Sequence, residues 1–408
     1  MSKNLAINGG KPVRLKKWPT YIDGFGSMLS ESSELVNKVL SSGRLFRYDT
    51  RPLKETMVGK LEETIKNYFN CEYALAVSSG TAALAIALMS LDLPNGYGVA
   101  CPTFGFQANP SAILLAGGIP HLFACNESLN YDIEDLRNRW DDNIKVIMVV
   151  HMRGMAQPIE EILNFAKEKG VFVIEDAVPS LGVSVKSKPL GTFSDFGCFS
   201  MQSDKTINTG EGGFIITNSK NLFERAVVLS GAFESRVNGH FEEANIQNNF
   251  DQQLPLYSFR MDELRAAVAL SQFPTLNDKL AKYKSNYNYL IEKIQQYVKV
   301  REPYYADGFL GDSLIFFVDD ERGSEVARCL SAEGINARCL GEADNVRSFT
   351  QWKFLKEVAD VEFLNTSTIK RTTSLLNSTV DVPLSHMLEK EDLDDLVQAI
   401  EKVIKELF

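Results

Sequence analysis

The chain has 408 residues, of which 44% are hydrophobic and 24% are charged, and these fractions are ordinary for a soluble globular protein. Its 53 acidic and 43 basic side chains give a net charge of −10, which opposes nonspecific nucleic-acid binding because that activity needs a positive surface. No apolar run approaches the ~20 residues that cross a bilayer, and residues 1–19 do not have the pattern of a signal peptide. We therefore expect a cytoplasmic protein with neither a nucleic-acid nor a membrane partner.

Helical and strand patterns alternate from about residue 55 to residue 230. Continuous apolar strands separated by helices are typical of a mostly parallel sheet that is covered on both faces. In such sheets, functional groups gather at the carboxyl ends of the strands, where Asp176 is placed. The predicted strands are 97–102, 119–125, 144–150 and 171–176, and the predicted helices include 80–91 and 158–170.

The second half of the chain has a different organisation. A helical region is predicted from 259 to about 297, followed by a strand at 314–320, a helix at 324–335 and an amphipathic C-terminal helix. We predict a large domain over residues 1–275 and a smaller α+β domain over residues 276–408. Residues 231–256 lack periodicity and are predicted to form a long loop.

The segment DFGCFSMQSDKTINTGEGGFIIT, residues 195–217, carries the strongest chemical signal. Two apolar strands are predicted at its ends, and the one lysine of the segment, Lys205, lies between them and is followed by a glycine-rich turn. A lysine can form a Schiff base with a carbonyl compound when burial and neighbouring charges lower its pKa. The alternative is a solvated loop lysine, and GEGG alone indicates no more than a tight turn.

Three further features suggest a common ligand, although each also has a structural interpretation. Gly80 and Thr81 follow two serines at a helix N-terminus, which is either an anion site or a simple helix cap. Asp176 could keep a pyridinium nitrogen protonated, or it could cap a turn. Phe106 could cover a flat ring, or it could belong to the core.

The order of phosphate turn, aromatic residue, aspartate and lysine resembles that of the fold type I enzymes that use pyridoxal 5′-phosphate (PLP). Over nearly its whole length the chain resembles the DegT/DnrJ sugar aminotransferases. Residues SMQ before the lysine resemble the branch with inosose and amino-octulosonate aminotransferases. The matching segments are AINGGKPVR, SSGTAAL, VIED, SMQSDKTINTGEGG, FRMDELRAAVALSQ and DVPLSHMLEKEDLDDL.

The resemblance implies an α/β fold, with a mixed, mostly parallel sheet flanked by helices and a smaller C-terminal α+β domain. It implies that Lys205 carries PLP as a Schiff base and moves the proton, and that Asp176 pairs with the ring nitrogen. The remaining implied cofactor contacts are Gly80, Thr81, Ala82 and Ser200 for the phosphate, Phe106 for the ring face and Gln202 for the site wall. The resemblance also implies a homodimer with shared active sites, in which the FRMDEL segment approaches the cofactor of the partner.

Two positions depart from the family pattern. Pro179 stands where the family usually has a glutamine that contacts the cofactor hydroxyl, and Ser258 stands where it usually has an asparagine that reaches the partner's phosphate. The first contact is therefore lost or supplied elsewhere, and the side chain at the second position is shorter by one group. Some family members replace the lysine with histidine and act as sugar dehydratases, so the presence of Lys205 favours transamination. A non-catalytic PLP-binding regulator is the alternative from another class.

The substrates are less well defined by the sequence. The family uses L-glutamate or L-glutamine as amino donor and a keto or aldehyde sugar as acceptor. Arg153 follows a strand end, where it could bind a carboxylate of the donor or of an acidic sugar, or form a structural salt bridge. An acidic acceptor such as an 8-oxo-3-deoxy-octulosonate, the precursor of an 8-amino lipopolysaccharide sugar, would suit this arginine. The alternatives are an inosose and a nucleotide-linked keto sugar. Scattered cysteines and four distant histidines indicate no metal site.

Overall fold

The computed structural model describes residues 4–19, 28–240, 250–357 and 366–408. These residues form a seven-stranded sheet, a four-stranded sheet and a short two-stranded hairpin. The strands of the first sheet are β1 (Tyr73–Val77), β2 (Gly98–Pro102), β3 (Ile119–Phe123), β4 (Ile144–Val150), β5 (Phe172–Asp176), β8 (Phe196–Ser200) and β9 (Gly213–Thr217). The hairpin consists of β6 (Ser184–Val185) and β7 (Lys188–Pro189).

The first sheet has the strand order β1-β9-β8-β5-β4-β2-β3. Strands β3, β2, β4, β5 and β8 are paired in parallel, whereas β9 pairs antiparallel with both β8 and β1. The sheet is therefore mixed and mostly parallel, as the sequence predicts. Because the parallel strands β4, β5 and β8 end at the same edge, the residues that follow them are brought together there.

Helices cover both faces of the first sheet, which confirms the prediction of a doubly covered sheet. The helices are α1 (Ser30–Ser42), α2 (Met57–Phe69), α3 (Gly80–Ser90), α4 (Ala108–Leu115), α5 (Ile133–Asn138), α6 (Ile159–Lys169), α7 (Lys220–Ser230), α8 (Phe250–Gln253), α9 (Glu263–Gln272), α10 (Leu276–Ile294), α11 (Gly323–Ala332), α12 (Ser367–Asn377) and α13 (Lys390–Leu407). Along β9 the side chains alternate between the two faces: Ile215 packs in a core with α3 and α7, whereas Phe214 and Ile216 pack with α2 and α9.

Helix α3 is the central helix of the molecule. Its sequence GTAALAIALMS is apolar on every side, and nine of its eleven residues are buried. A helix that is apolar all round requires burial, and α3 obtains it between the sheet and helices α4 and α7. This packing holds the N-terminus of α3 at the same edge of the sheet as the ends of β5 and β8.

The second sheet is antiparallel and has the strand order β10-β11-β13-β12. Its core includes residues of α10, α11 and α13, together with Leu5 and Trp18 from the N-terminal segment. The predicted large domain includes that segment, but Leu5 and Trp18 pack in the core of the second sheet. The boundary near residue 275 falls between α9 and α10 and stays a prediction. The strands are β10 (Lys299–Val300), β11 (Ser313–Phe317), β12 (Arg338–Cys339) and β13 (Thr379–Pro383).

The predicted loop 231–256 lies partly outside the described residues, because 241–249 are not among them. The described part contains short 3-10 turns at Glu234–Arg236 and Asn238–His240, and the four-residue helix α8. Across the described part of the chain, no helix has both the length and the apolar character that a bilayer crossing requires.

Candidate active site

A cavity of about 330 Å³ opens where the carboxyl ends of β4, β5 and β8 meet the N-terminus of α3. One wall comes from the first sheet and its loops, and the other comes from α10, the segment just before β11 and the loop after β12. Among the predicted site residues, those that line the cavity are Gly80, Thr81, Phe106, Arg153, Asp176, Ser200, Gln202 and Lys205. Residues that the sequence analysis did not select also line it, among them Asp204, Glu211, Tyr283, Asp312 and Arg347.

The N-terminus of α3 forms one end of the cavity. Ser79 caps the helix, since its hydroxyl accepts a hydrogen bond from the backbone N–H of Ala82 at 3.1 Å. That amide of Ala82 is thus used by the cap, and Ala82 is not among the cavity-lining residues found in the described chain. The first amides of a helix have no carbonyl partner within the helix, so Gly80 and Thr81 present N–H groups and a partial positive charge. This end of the cavity suits a phosphate.

Gly80 is closely packed against the neighbouring strand end. A Cβ atom at this position would lie 2.8 Å from Cβ of Ser200 and 3.1 Å from a methyl group of Val178. Ser200 is buried, and its hydroxyl accepts a hydrogen bond from the backbone N–H of Gln202 at 3.2 Å. A side chain at position 80 would therefore push these walls apart.

We expect Gly80→Ala to weaken PLP binding roughly 10- to 100-fold, because forcing a methyl group into a packed contact costs about 1–3 kcal/mol. The measurement is a titration of cofactor-free protein with PLP. Gly239→Ala is the matched control, since a methyl group there would meet nothing within 4 Å. Equal PLP affinity in wild type and Gly80→Ala would show that this close approach does not shape the cofactor site.

Asp176 ends β5 and is 4% exposed. One of its carboxylate oxygens accepts a hydrogen bond from the backbone N–H of Val178 at 3.1 Å, and the other accepts one from the side-chain amide of Asn109. Burial raises the pKa of Asp176, and the hydrogen bonds from Asn109 and Val178 and the charge of Lys205 oppose that rise. The carboxylate is therefore held in one orientation at the floor of the cavity.

Asn109 is a residue that the sequence analysis missed. Its side-chain oxygen accepts a hydrogen bond from the backbone N–H of Phe106 at 2.8 Å, while its amide nitrogen donates to Asp176. It thus connects the loop that carries Phe106 with the strand end that carries Asp176. The sequence signal was its place three residues after Phe106 in CPTFGFQAN.

Lys205 lies in the turn between β8 and β9. The backbone N–H of Lys205 donates to the carbonyl of Gln202 at 2.8 Å, and the side chain of Gln202 accepts from the backbone N–H of Asp204 at 3.0 Å. Burial lowers the pKa of the Lys205 amine; Asp312 and Asp204 oppose this, whereas Arg347 and Arg153 add to it. An amine with a lowered pKa is neutral more often near pH 7 and is then a nucleophile and a base.

Phe106 and Pro179 both line the cavity. Phe106 is 40% exposed although it is a large apolar residue, so its ring is available for stacking within a concave site. Pro179 lines the cavity at the position where the family resemblance predicts glutamine, and its side chain has no hydrogen-bond donor. The contact with a cofactor hydroxyl expected there is thus not available from this side chain.

Ser258 is the second position that departs from the family pattern. Its hydroxyl accepts a hydrogen bond from Arg260 at 2.8 Å, and Arg260 also donates to the carbonyl of Gly231 at 2.8 Å. The neighbouring Phe259 carbonyl accepts from the backbone N–H of Ser78 at 2.8 Å. This segment therefore lies beside the start of α3 within its own chain.

Arg153 is buried beside a carboxylate of the second sheet. Its guanidinium forms an ion pair with Asp381, and Asp381 also accepts a hydrogen bond from the hydroxyl of Ser313. Arg153 has a positive φ of 57°, which is uncommon for a side chain of this size. The charge of Arg153 is thus offset by a protein carboxylate inside the cavity wall.

Asp312 immediately precedes β11 and lines the cavity from the second sheet. Within the described residues, its buried Oδ1 atom has no hydrogen-bond partner. Burial raises the pKa of Asp312 to about 6, while Arg153 and Lys205 lower it. Sequence reasoning missed this residue, because a single aspartate before an apolar strand has no distinctive pattern.

Comparison with known proteins identifies the group to which this arrangement belongs. A model of the DegT/DnrJ/EryC1/StrS aminotransferase family matches residues 28–401. The chain belongs to this family. Its members depend on PLP, and the protein is accordingly a PLP-dependent aminotransferase that acts on a sugar carbonyl.

Individual relatives agree with this assignment. The chain is 30% identical to GDP-perosamine synthase of Escherichia coli O157:H7 over 274 residues, which cover 65% of this chain and 71% of that protein. It is 26% identical to L-glutamine:2-deoxy-scyllo-inosose aminotransferase of Micromonospora echinospora over 285 residues, 69% and 66% of the two chains. The E. coli GDP-4-keto-6-deoxy-D-mannose-3-dehydratase with bound hydrated PLP shares the fold, with a TM-score of 0.75 and 19% identity over 96% of this chain and 99% of that chain.

The residues that surround the cavity fit PLP. The α3 N-terminus can take its phosphate, and Gly80 leaves no side chain in the space between that helix and Ser200. Asp176 offers a buried carboxylate for the ring nitrogen, Phe106 offers a ring face, and Lys205 offers an amine of lowered pKa. In the described part of the chain, no group of three or more His, Cys, Asp or Glu side chains is arranged to hold a metal ion.

Proposed function

We propose that this aminotransferase takes the amino group of L-glutamate or L-glutamine and transfers it to a keto group of a nucleotide-linked sugar. The 30% identity with a GDP-perosamine synthase, over 71% of that relative, carries this proposal. The ion pair of Arg153 with Asp381 supports it, because that pair offsets the positive charge that an acidic acceptor would need.

The wall that comes from the first sheet and its loops supplies the residues for this reaction. PLP, when bound, supplies an electron sink for the carbon that loses its proton. Lys205 would bear the cofactor, and its released amine would take up and hold the proton that the substrate carbon loses. Asp176 keeps a proton on the ring nitrogen, with Asn109 holding the carboxylate in place. Gly80, Thr81 and Ser200 bind the phosphate, Phe106 covers the ring, and Gln202 shapes the wall.

The acidic acceptor expected from the sequence, an 8-oxo-3-deoxy-octulosonate, relied on Arg153 as its carboxylate-binding residue. A guanidinium that already pairs with Asp381 and lies 7% exposed gains less from a second carboxylate than an unpaired one. The octulosonate and the inosose thus become the alternatives against which the nucleotide-linked sugar is tested.

The test is a two-step assay with three acceptors. The purified enzyme is first converted with glutamate or glutamine, freed of donor, and then mixed with a nucleotide-linked 4-keto sugar, with 2-deoxy-scyllo-inosose or with an 8-oxo-3-deoxy-octulosonate. Recovery of the PLP spectrum and the mass of the amino sugar report transfer. We expect the nucleotide-linked sugar to react with the highest kcat/KM, and a higher value for either alternative would overturn the proposal.

Arg153→Met should destabilise the protein by about 3–5 kcal/mol, because it leaves Asp381 buried without its charge partner. Urea unfolding measures this loss. The double variant Arg153→Met/Asp381→Asn is the control and should recover part of the stability, since it removes the unpaired charge. Saturation by glutamate should be retained in the folded single variant. Wild-type stability together with lost glutamate saturation would mean that Arg153 is a donor-binding residue instead.

We further propose a homodimer with shared active sites, in which the segment around Ser258 reaches the cofactor of the partner. Exposed Leu256 and Tyr257 lie next to this segment and would be covered by a second chain. Light scattering should give twice the 45.6 kDa chain mass at assay concentration. A fully active particle of one chain would refute shared sites.

A further inference from the structure

The carboxylate of Asp312 lines the cavity but has no role in the proposed reaction. Its Oδ1 atom is buried and has no hydrogen-bond partner among the described residues. Leaving a buried carboxylate oxygen without a donor is unfavourable, so a donor from within the cavity would stabilise it. The backbone carbonyl of Asp312, by contrast, has a partner, since it accepts a hydrogen bond from the N–H of Leu384 at 2.8 Å.

The neighbours of Asp312 limit which group can supply that donor. The cations whose charges act on it are Arg153 and Lys205, and Arg153 is engaged with Asp381. Lys205 enters the cavity from the opposite side, on the turn between β8 and β9. Arg153 is fixed by its ion pair with Asp381, whereas no ion pair of the Lys205 amine is seen in the described chain, so Lys205 is the cation whose position a carboxylate can set.

We propose that Asp312 is a positioning residue, whose carboxylate accepts a hydrogen bond from Nζ of Lys205 whenever that amine is not bonded to PLP. The proposal rests on Lys205 as the residue that bears the cofactor. During each half-reaction the released amine has to stay near the substrate carbon while it holds a proton. The carboxylate of Asp312, just before β11, favours the protonated amine and keeps it from rotating toward solvent.

Gly154 shows that the chain leaves space for this carboxylate. A Cβ atom at position 154 would lie 2.8 Å from Oδ1 of Asp312 and 2.6 Å from Cβ of Leu310. Gly154 also has a positive φ of 67°, which a glycine adopts without strain. The backbone after β4 therefore closes over Asp312 on one side, and the cavity with Lys205 lies on the other.

Other charges also face Lys205, and Asp312 differs from them in its surroundings. Asp204 belongs to the same turn as Lys205, and Asp176 receives hydrogen bonds from Asn109 and Val178. Removing the carboxylate of Asp312 should thus lower the apparent pKa of the Lys205 amine, and Asp204 and Asp176 should not compensate for its loss. The charged residues around Lys205 are Arg153, Asp176, Asp204, Asp312 and Arg347, and Glu211 also lines the cavity.

The test measures the protonation of the free amine directly. Wild type, Asp312→Asn and the exposed control Asp319→Asn are loaded with pyridoxamine 5′-phosphate, which leaves Lys205 unbonded. They are then labelled with acetic anhydride across a pH series, and mass spectrometry quantifies acetylation of Lys205. We expect Asp312→Asn to lower the apparent pKa of this amine by about 1 unit, because it removes an adjacent opposite charge. Asp319→Asn should match wild type.

A second measurement distinguishes a positioning role of Asp312 from a general loss of structure in the variant. The rate constant of the glutamate half-reaction should fall roughly 10-fold in Asp312→Asn, as expected when a proton-transferring amine is poorly held, with glutamate saturation unchanged. Superimposable labelling curves for wild type and Asp312→Asn would overturn the proposal. If that variant does not bind pyridoxamine phosphate, Asp312→Ser is labelled instead, and if neither binds it, the full-length chains are compared without cofactor. Borohydride reduction of wild type with PLP reports separately whether Lys205 bears the cofactor at all.

Discussion

Replacing Lys205 with alanine should abolish turnover and the covalent attachment of PLP. Lys205 brings an amine of lowered pKa into the cavity, and it lies on the turn that faces Asp176 and the N-terminus of α3. Loss of proton transfer alone should slow the reaction by roughly 10²–10⁴-fold, and loss of the covalent link adds to this. The measurements are steady-state turnover and the mass of the chain after borohydride reduction.

Lys186→Ala is the matched control for this variant. Lys186 is exposed and forms an ion pair with Glu160, away from the cavity. It should retain wild-type turnover and a reducible link. Because PLP can also bind noncovalently through its phosphate, Lys205→Ala should still bind the cofactor in a form that borohydride does not fix. A Lys205→Ala protein with wild-type turnover would end the assignment.

Asp176→Asn should retain the fold and most PLP affinity but lose activity by roughly 10²–10³-fold. An amide cannot keep the ring nitrogen protonated, so the charge that develops on the substrate carbon is less well stabilised. The expected effect is on kcat, with only small changes in the saturation by glutamate. Stopped-flow measurement of the glutamate half-reaction reports this rate without the sugar acceptor.

The control for Asp176→Asn is Asp278→Asn, which alters an exposed carboxylate on α10. A circular dichroism melt is needed beside the kinetics, because Asp176 also accepts hydrogen bonds from Asn109 and Val178. An asparagine amide has one accepting oxygen and can keep only one of these two hydrogen bonds, so a modest fall in melting temperature is expected. If the half-reaction of Asp176→Asn proceeds at the wild-type rate, Asp176 serves only as a cap of the strand end.

Much of the first sheet could be predicted from the sequence, since its signals are local. The run IKVIMVV is strand β4 over the same seven residues, and the predicted helix from Gly80 is α3 with one residue fewer at its end. Continuous apolar runs and an apolar alanine-rich helix are strong patterns, because a strand or helix that is buried on every side is built almost entirely from apolar residues. The position of Asp176 at a strand end follows from the same reasoning.

The second wall of the cavity could not be predicted in this way. Asp381 lies on β13 and Asp312 lies just before β11, so their proximity to Arg153 depends on how the second sheet packs against the first. Asn109 is three residues from Phe106, but its bond to Asp176 spans 67 positions in the chain. Contacts between distant segments produce no periodic pattern in a single sequence. The sequence alone therefore does not identify Asp381 as the ion-pair partner of Arg153.

Transamination itself is tested most directly by the visible absorbance of the purified PLP-loaded enzyme on addition of L-glutamate or L-glutamine, without any sugar. A working aminotransferase converts the cofactor to its amine form, so the PLP band should disappear while one equivalent of the donor's keto acid appears. Addition of the keto acid should restore the band. A spectrum that stays unchanged with both donors, in protein that binds PLP through Lys205, would contradict the central claim and favour a sugar dehydratase or a PLP-binding regulator.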